Sequence, residues 1–308
     1  MRDTSPFHAG ERYVQQSAGE TSIAERNATL VTDTVIGGAR PFIAKQTMVA
    51  VASTDPSGRL WSSLLFGEPG FVNTGDGSAI QINVPLAERD EHDPVWANVE
   101  QNKDLGMLFI ELSTRRRYRV NGTVNRLDDA GADVVIREAY PNCPRYIQRR
   151  QLKQVGTVRK STTVVHGTSL TSAVEGIVRH ADTIFVASRH PETGADASHR
   201  GGAEGFVHIV DASTLRIPDF NGNSLFNTFG NFAVDPHAGL CILDFSRGQV
   251  LQLTGTASVL WDQDDPTNET GGTGRYWQFQ IKKWILRETP QPLDWEYFDA
   301  SPFIPRQG

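Results

Sequence analysis

Val186-Ala187-Ser188 and Gly205-Phe206-Val207 repeat, 135 positions later, what the chain has already written as Val51-Ala52-Ser53 and Gly70-Phe71-Val72. Further along the register falls to 133, where Gly106-Met107-Leu108 faces Gly239-Leu240-Cys241 and Val120-Asn121-Gly122-Thr123 faces Leu253-Thr254-Gly255-Thr256. That period far exceeds the roughly 20 to 50 residues of solenoids and propellers, so each copy carries its own core and the pair behaves as a dimer joined in one polypeptide. A length of 308 residues, against roughly 100 to 200 per domain, agrees with two units.

Working outward, the first copy is expected to form strands at Met48 to Ser53, Leu60 to Phe66, Ala79 to Val84, Leu105 to Leu112 and Arg117 to Arg126. Turn signals such as Asp55-Pro56-Ser57-Gly58 and Gly75-Asp76-Gly77 divide them. The second copy offers Thr183 to Ser188, Gly205 to Val210, Thr214 to Pro218, Gly239 to Phe245, Val250 to Leu260 and Tyr276 to Ile285. Short helices are expected at Phe42 to Gln46, Val95 to Gln101 and Asn227 to Val234, and one from a capping box at Ser172 and Glu175 to near His180. Many short strands with few helices predict a mainly β fold with short helices, each unit closing into a small antiparallel barrel that leaves no exposed edge.

Four segments follow: a helical, peripheral extension over 1–40, with Phe7, Tyr13, Val14, Ile23 and Leu30 scattered among polar residues; a first barrel over 41–154; a linker over 155–170; and a second barrel over 171–308. Pro144 is expected to open a basic helix bearing Arg145, Arg149, Arg150 and Lys153 at the end of the first barrel.

Composition bounds the partners. A net charge of −6 argues against general affinity for nucleic acid or an anionic membrane, so a basic cluster acts locally. Met1-Arg2-Asp3 opens no apolar leader and no apolar run reaches the roughly 18 residues of a spanning helix, which predicts a cytoplasmic protein. Cys143 and Cys241 form no CxxC or paired framework, and no HExxH or similar histidine spacing exists, so neither a disulfide nor a metal site is implied.

The copies disagree at one place. Leu60-Trp61-Ser62-Ser63-Leu64-Leu65-Phe66-Gly67, a buried apolar strand, aligns with Ala195-Asp196-Ala197-Ser198-His199-Arg200-Gly201-Gly202, which is polar. Ser198, Arg200 and backbone amides freed by Gly201 and Gly202 suit a phosphate, because a charged fork and neutral donors satisfy several oxygens at once. The bland alternative is a solvated glycine-rich loop. Asn221-Gly222-Asn223-Ser224-Leu225-Phe226-Asn227-Thr228 sets asparagines and a threonine at a helix mouth that favours an anion, or is simply an Asx-rich turn with an N-cap. The matching first-copy stretch, Asp90-Glu91-His92-Asp93-Pro94, is acidic, so only the second copy is equipped.

With Ser198-His199-Arg200-Gly201, Gly205-Phe206-Val207, Leu215-Arg216-Ile217-Pro218-Asp219, Gly222-Asn223, Asn227-Thr228, Asn231 and Leu253-Thr254-Gly255-Thr256-Ala257 in this order, the second copy resembles the FMN-binding split barrels related to pyridoxamine 5'-phosphate oxidase. The first copy and Asn142-Cys143-Pro144-Arg145-Tyr146-Ile147-Gln148 are similar to the longer members. The resemblance implies two tandem Greek-key split β-barrels forming a pseudo-dimer, with FMN where they meet. Its phosphate would rest on Ser198, Arg200, Asn227 and Thr228, with Asn223 and His199 toward the ribityl or ring end. The family's further arginines are replaced by Ser224 and Leu225, and the oxidase's basic pair by Asn227 and Thr228. Extra charge would therefore come from Arg145, Arg149 and Arg150, or from Arg115 to Arg119, unless these are solvated or paired with acids.

The oxidase's C-terminal substrate segment has no counterpart in Trp295-Glu296-Tyr297-Phe298, so its activity is not carried over. The leading expectation is an FMN-dependent oxidoreductase acting on a small molecule at the barrel interface, with a nicotinamide reductant as partner and no catalytic side chain identified. Trp277 and Trp284 either cover the ring or belong to the core. A non-catalytic flavin or haem carrier is the alternative, with His190, His199 or His208 as axial ligand, and a module that has lost its ligand is a third. Whether two chains associate as a homodimer is left open.

Overall fold

The computed structural model describes residues 5–158 and 163–305. Seven strands of the first copy, β1 (Met48–Thr54), β2 (Leu60–Phe66), β3 (Val72–Asn73), β4 (Ala79–Ile82), β5 (Asp104–Glu111), β6 (Arg116–Asp128) and β7 (Gly131–Pro141), make one antiparallel sheet. Its order is β2-β1-β5-β6-β7-β4-β3. After β8 (Arg149–Val155) and β9 (Val164–Gly167), the second copy supplies β10 (Thr183–His190), β11 (Gly194–Gly201), β12 (His208–Asp211), β13 (Thr214–Pro218), β14 (His237–Asp244), β15 (Gln249–Leu260) and β16 (Tyr276–Glu288). These follow the order β11-β10-β14-β15-β16-β13-β12, with β9 added beside β16. The two orders are one permutation, so the halves share a topology as well as a sequence pattern, and the chain is mainly β with two tandem split barrels.

The duplication reaches local detail. The pairing register slips between Asn121 and Gly122 in β6, and between Thr254 and Gly255 in β15, at matched positions. Both bulges need glycine: a Cβ on Gly122 would lie 2.3 Å from the Val135 carbonyl oxygen, and one on Gly255 2.0 Å from that of Gln280.

Each barrel has an apolar core, one around Val51, Ile80, Met107 and Val134, the other around Val186, Leu215, Leu240 and Phe279. A third cluster joins them, where Ala50, Leu64 and Leu108 of the first barrel meet Phe185, Ala197 and Cys241 of the second. Contacts exchange in pairs, β5 with β11 and β14 with β2, as a pseudo-two-fold requires. The approach is close enough to demand glycine on both sides. A Cβ on Gly106 would sit 2.6 Å from the Ala195 carbonyl oxygen, and one on its repeat partner Gly239 2.8 Å from that of Leu60.

Helices α1 (Ala9–Ser17), α2 (Thr21–Asn27), α3 (Arg40–Ala44), α4 (Val95–Gln101), α5 (Ser172–Arg179) and α6 (Asn227–Val234) complete the fold. None among the described residues is long and apolar enough to cross a membrane.

Several expectations are corrected. The stretch from Arg149, expected as a basic helix, is β8, and it pairs with β17 (Leu293–Asp299) as a two-stranded ribbon. The polar stretch around Ser198, readable as a solvated loop, is the buried strand β11. α5 is capped by Thr171 with no side-chain bond, so the Ser172–Glu175 box does not form. The expected linker contains β9, while its residues 159–162 lie outside the described residues. The amino-terminal extension is not peripheral. Gly10 lies against Gly230 so closely that a Cβ on Gly10 would stand 2.2 Å from the Gly230 carbonyl oxygen, which seats α1 directly on α6.

Candidate functional site

Alternate residues of a strand share a face. On β6 that rule aligns Arg117, Arg119 and Asn121; on β11 it aligns Asp196, Ser198 and Arg200. The two rows face each other across the junction of the barrels. At one end Asp196 is saturated, accepting from Asn121 at 2.6 Å, Asn231 at 2.6 Å and Arg119 at 3.2 Å. In the middle Arg119 donates to the Ser198 hydroxyl, which lies 2.8 Å from Thr228 Oγ1. At the other end Arg117 and Arg200 confront one another, and neither forms a salt bridge among the described residues.

That end opens into a cleft enclosing about 100 Å³, walled by β6, β11, the 219–229 loop and helix start, and the 142–146 segment. Burial, with repulsion from Arg200, brings the Arg117 guanidinium down to about 9. Burial also lowers Arg200, against the attraction of Asp219. Asp219 is already held by Arg275 Nε at 3.0 Å, so it does not neutralise the pair. Arg119 differs: burial opposes its charge, but Tyr140 and Asp196 outweigh that and raise it. Buried hydrogen-bonding capacity remains unused at the Nε atoms of Arg119 and Arg200 and at His199 Nε2. Such a set of donors lacks only an anion.

His199 lies beside the same pair. Arg117 donates to its Nδ1 at 3.2 Å, which leaves the ring proton on Nε2, and burial followed by the Arg117 and Arg200 charges holds its pKa well below the usual range. Arg117 Nε also donates to the Cys143 carbonyl at 2.6 Å, tying the 142–146 segment to the site.

Of the expected residues, His199, Arg200, Gly201, Asn223, Asn227, Thr228 and Arg145 line the cleft, and Ser198 stands just behind it. Their roles are unequal. Asn227 donates to Glu11, and Asn223 Oδ1 accepts from the Leu225 amide at 3.3 Å. Gly201 also has a use within the fold: a Cβ there would meet the Tyr146 carbonyl oxygen at 2.0 Å, so glycine serves a chain crossing. The α6 start has no asparagine cap; its N-cap is Phe226, left-handed at φ 59°, with no side-chain bond. Arg145 is exposed, its guanidinium 5.3 Å from the Phe303 ring. Arg149 and Arg115 pair with Asp299, and Arg150 with Asp182, so they contribute no free charge. Trp277 and Trp284 are buried core residues.

Residues 38–162 match the family model described as pyridoxamine 5'-phosphate oxidase. The match spans the first barrel and the segment after it, and that part of the chain is similar to this oxidase-related family. No curated protein matches it in sequence. Among solved structures, a putative pyridoxamine 5'-phosphate oxidase from Lactobacillus delbrueckii is 12% identical, covering 40% of this chain and 98% of its own, with a TM-score of 0.32. HupZ from Group A Streptococcus is 11% identical over 37% and 90%, at a TM-score of 0.30. HutZ from Vibrio cholerae, named as a heme storage protein, is 12% identical over 40% and 94%, at 0.27.

The cleft loop is clasped from outside the barrels, by the amino-terminal helices. Gln15 donates to the Leu225 carbonyl at 3.1 Å, Asn27 to that of Asn223 at 2.8 Å, and the Ser224 hydroxyl to Glu20 at 2.5 Å. His8 and Glu11 form a true capping box on α1, and His8 Nε2 reaches Asn231 Oδ1 at 3.0 Å. The missed signal lay at His8 and Glu11, three residues apart before a helical stretch.

Proposed function

We propose that the cleft binds FMN, with the phosphate at the Arg117–Arg200 end, and that the protein is an FMN-dependent oxidoreductase acting on a small molecule. The observation that carries this reading is the pair of half-buried arginines facing each other with no salt bridge to either among the described residues, the nearby Asp219 being held by Arg275. Bringing like charges together costs free energy that a bound dianion recovers, and the guanidinium forks offer it several donors at once. The unused Nε atoms of Arg119 and Arg200 fit the same group. Ser198 then holds Arg119 in place rather than facing the phosphate itself, a smaller role than the resemblance implied, while Thr228 lines the cleft.

Bound flavin supplies the hydride or electron exchange. The chain's own part is to bind and orient: Tyr146 and Phe220, their rings 4.7 Å apart, line the cleft as an aromatic wall, and the His199 Nε2 proton is an available donor. The haem alternative has less support. Arg117 takes the lone pair of His199 Nδ1, so Nε2 carries the proton; His208 Nε2 lies 2.6 Å from Glu269; and His190 Nδ1 faces the Glu192 amide at 3.2 Å.

Titration of flavin-free protein with FMN and riboflavin tests the assignment. FMN is expected to bind at least about tenfold more tightly, since charge-assisted bonds to the phosphate contribute on the order of 1.5 to 3 kcal/mol. Equal affinity for the two would defeat it. Bleaching of the flavin band by a reduced nicotinamide, followed by turnover, separates an enzyme from a carrier.

A further inference from the structure

Beside the arginine cleft lies a second cavity of about 290 Å³, one wall of which is apolar, with Ile36, Ala39, Phe42, Pro141 and Pro144, and the other formed by the 115–118 segment with its three arginines. Arg117 and Asn142 line both spaces, so the two are neighbours separated by those side chains. The volume is close to the lower end, roughly 300 Å³, of cavities that hold small organic ligands. Its surroundings are charged on one side. Arg116, exposed at the rim, has its guanidinium 5.0 Å from the Phe42 ring and forms no salt bridge among the described residues. Lys45, the other cation near that ring, is occupied by Glu111 at 2.7 Å. Ile36 is 49% exposed, a large apolar side chain at the mouth that buries nothing of the barrel core.

We propose that this cavity is a separate ligand site, and that its ligand is a flat apolar molecule bearing a carboxylate. The apolar wall takes the body of such a molecule, while Arg116 at the rim takes its carboxylate and the Phe42 ring keeps that guanidinium in place. Arg117 and Asn142 stand between this site and the cleft, so its affinity and charge preference do not rest on the flavin reading of the cleft.

Calorimetric titration with 2-naphthoate and its neutral counterpart 2-naphthamide, on protein with and without FMN, tests the site. Naphthoate is expected to bind at least tenfold more tightly than naphthamide. Arg116→Gln is expected to abolish that preference while leaving naphthamide affinity unchanged, and Ile36→Asp to weaken both ligands by tenfold or more. FMN affinity is expected to stay as in the wild type in both variants, since neither residue lines the cleft. Equal binding of the two probes by the wild type, a preference that survives Arg116→Gln, or wild-type binding by Ile36→Asp overturns the proposal. Failure of the wild type to bind FMN with the naphthoate preference intact overturns the flavin reading of the cleft and leaves the carboxylate site standing.

Discussion

Ser63 and Ser198 occupy matched positions on β2 and β11, and each hydroxyl bonds the side chain thirty residues further on: Ser63 to Asp93 at 2.6 Å, Ser198 to Thr228 at 2.8 Å. Each also receives a long side chain from the opposite barrel at matched positions, Gln252 onto Ser63 at 2.9 Å and Arg119 onto Ser198. From this common scaffold the halves diverge. On the Ser63 side Arg287 is buried against Asp90, at 2.7 Å, and Asp93, so the charge is satisfied internally. On the Ser198 side Arg117 and Arg200 stand where the other half has Val250 and Leu65, and neither forms a salt bridge among the described residues. One half is closed by the two ion pairs of Arg287; the proposed anion site lies in the other.

Arg200→Leu, which installs the residue of the matched position, is therefore expected to lower FMN affinity about 10- to 100-fold, the range set by losing one charge-assisted contact. Because it also relieves the repulsion with Arg117, the flavin-free variant is expected to melt no lower than the wild type. Leu65→Ala is expected to do the reverse, costing about 2 to 4 kcal/mol of stability at unchanged flavin affinity. Fluorescence titration and thermal denaturation together measure both.

Arg287 supplies the opposite case. Arg287→Met strands Asp90 and Asp93 in the interior, an expected cost of about 3 to 5 kcal/mol. Adding Asp93→Asn to that variant removes one of the stranded charges and is expected to restore part of the loss. Urea denaturation of the single and double variants checks this; a fully additive pair of losses rules out the assigned pairing.

The repeat made the topology legible, because matched apolar strands and matched glycines survive duplication. Leu60–Phe66, Thr214–Pro218, Val95–Gln101 and Asn227–Val234 stand where the pattern put them. What the pattern concealed has a physical cause. β11 carries Asp196, Ser198 and Arg200 on one face, a row that looks solvated in sequence and is buried only because β6 of the other barrel satisfies it. Pro144 and the arginines after it read as a helix, yet those arginines pair with Asp182 and Asp299, partners distant in sequence. Arg117 and Arg119 stood among several candidate cations, and only the facing rows distinguish them from Arg115, Arg149 and Arg150.

The joint between the barrels is expected to be intolerant at its two matched glycines. Gly106→Val drives a branched side chain into the backbone of β11, where even a Cβ would come within 2.6 Å of Ala195, and backbone cannot rotate away. A loss of at least about 1 to 3 kcal/mol is expected from overpacking alone, with separation of the barrels and a fall in FMN affinity alongside it. Gly37→Val, at a glycine with open space around it, serves as the control and is expected to change neither.

The clasp of α1 on α6 gives the protein a pH dependence with a definite sign. Burial, with Asp196 and Glu138 adding repulsion, raises the Glu11 carboxyl to about 8, against the bonds it accepts from His8 and Asn227. Glu138 is raised to about 7 by burial and then by Asp196. Between the ordinary carboxyl value near 4.5 and these values the folded chain binds more protons than the unfolded chain, so stability falls as pH rises through that window. Each group contributes at most about 1.4 kcal/mol per pH unit there. The melting temperature is thus expected to drop from pH 5 to pH 8, and Glu11→Gln to flatten the upper part of the decline, above the range in which Glu138 titrates. Because Glu11 accepts from Asn227 at the cleft wall, the negative charge it gains on ionising opposes an anion there, so FMN affinity is expected to weaken over the same range in the wild type and less in the variant. Identical pH profiles for the two proteins would remove Glu11 as the titrating group.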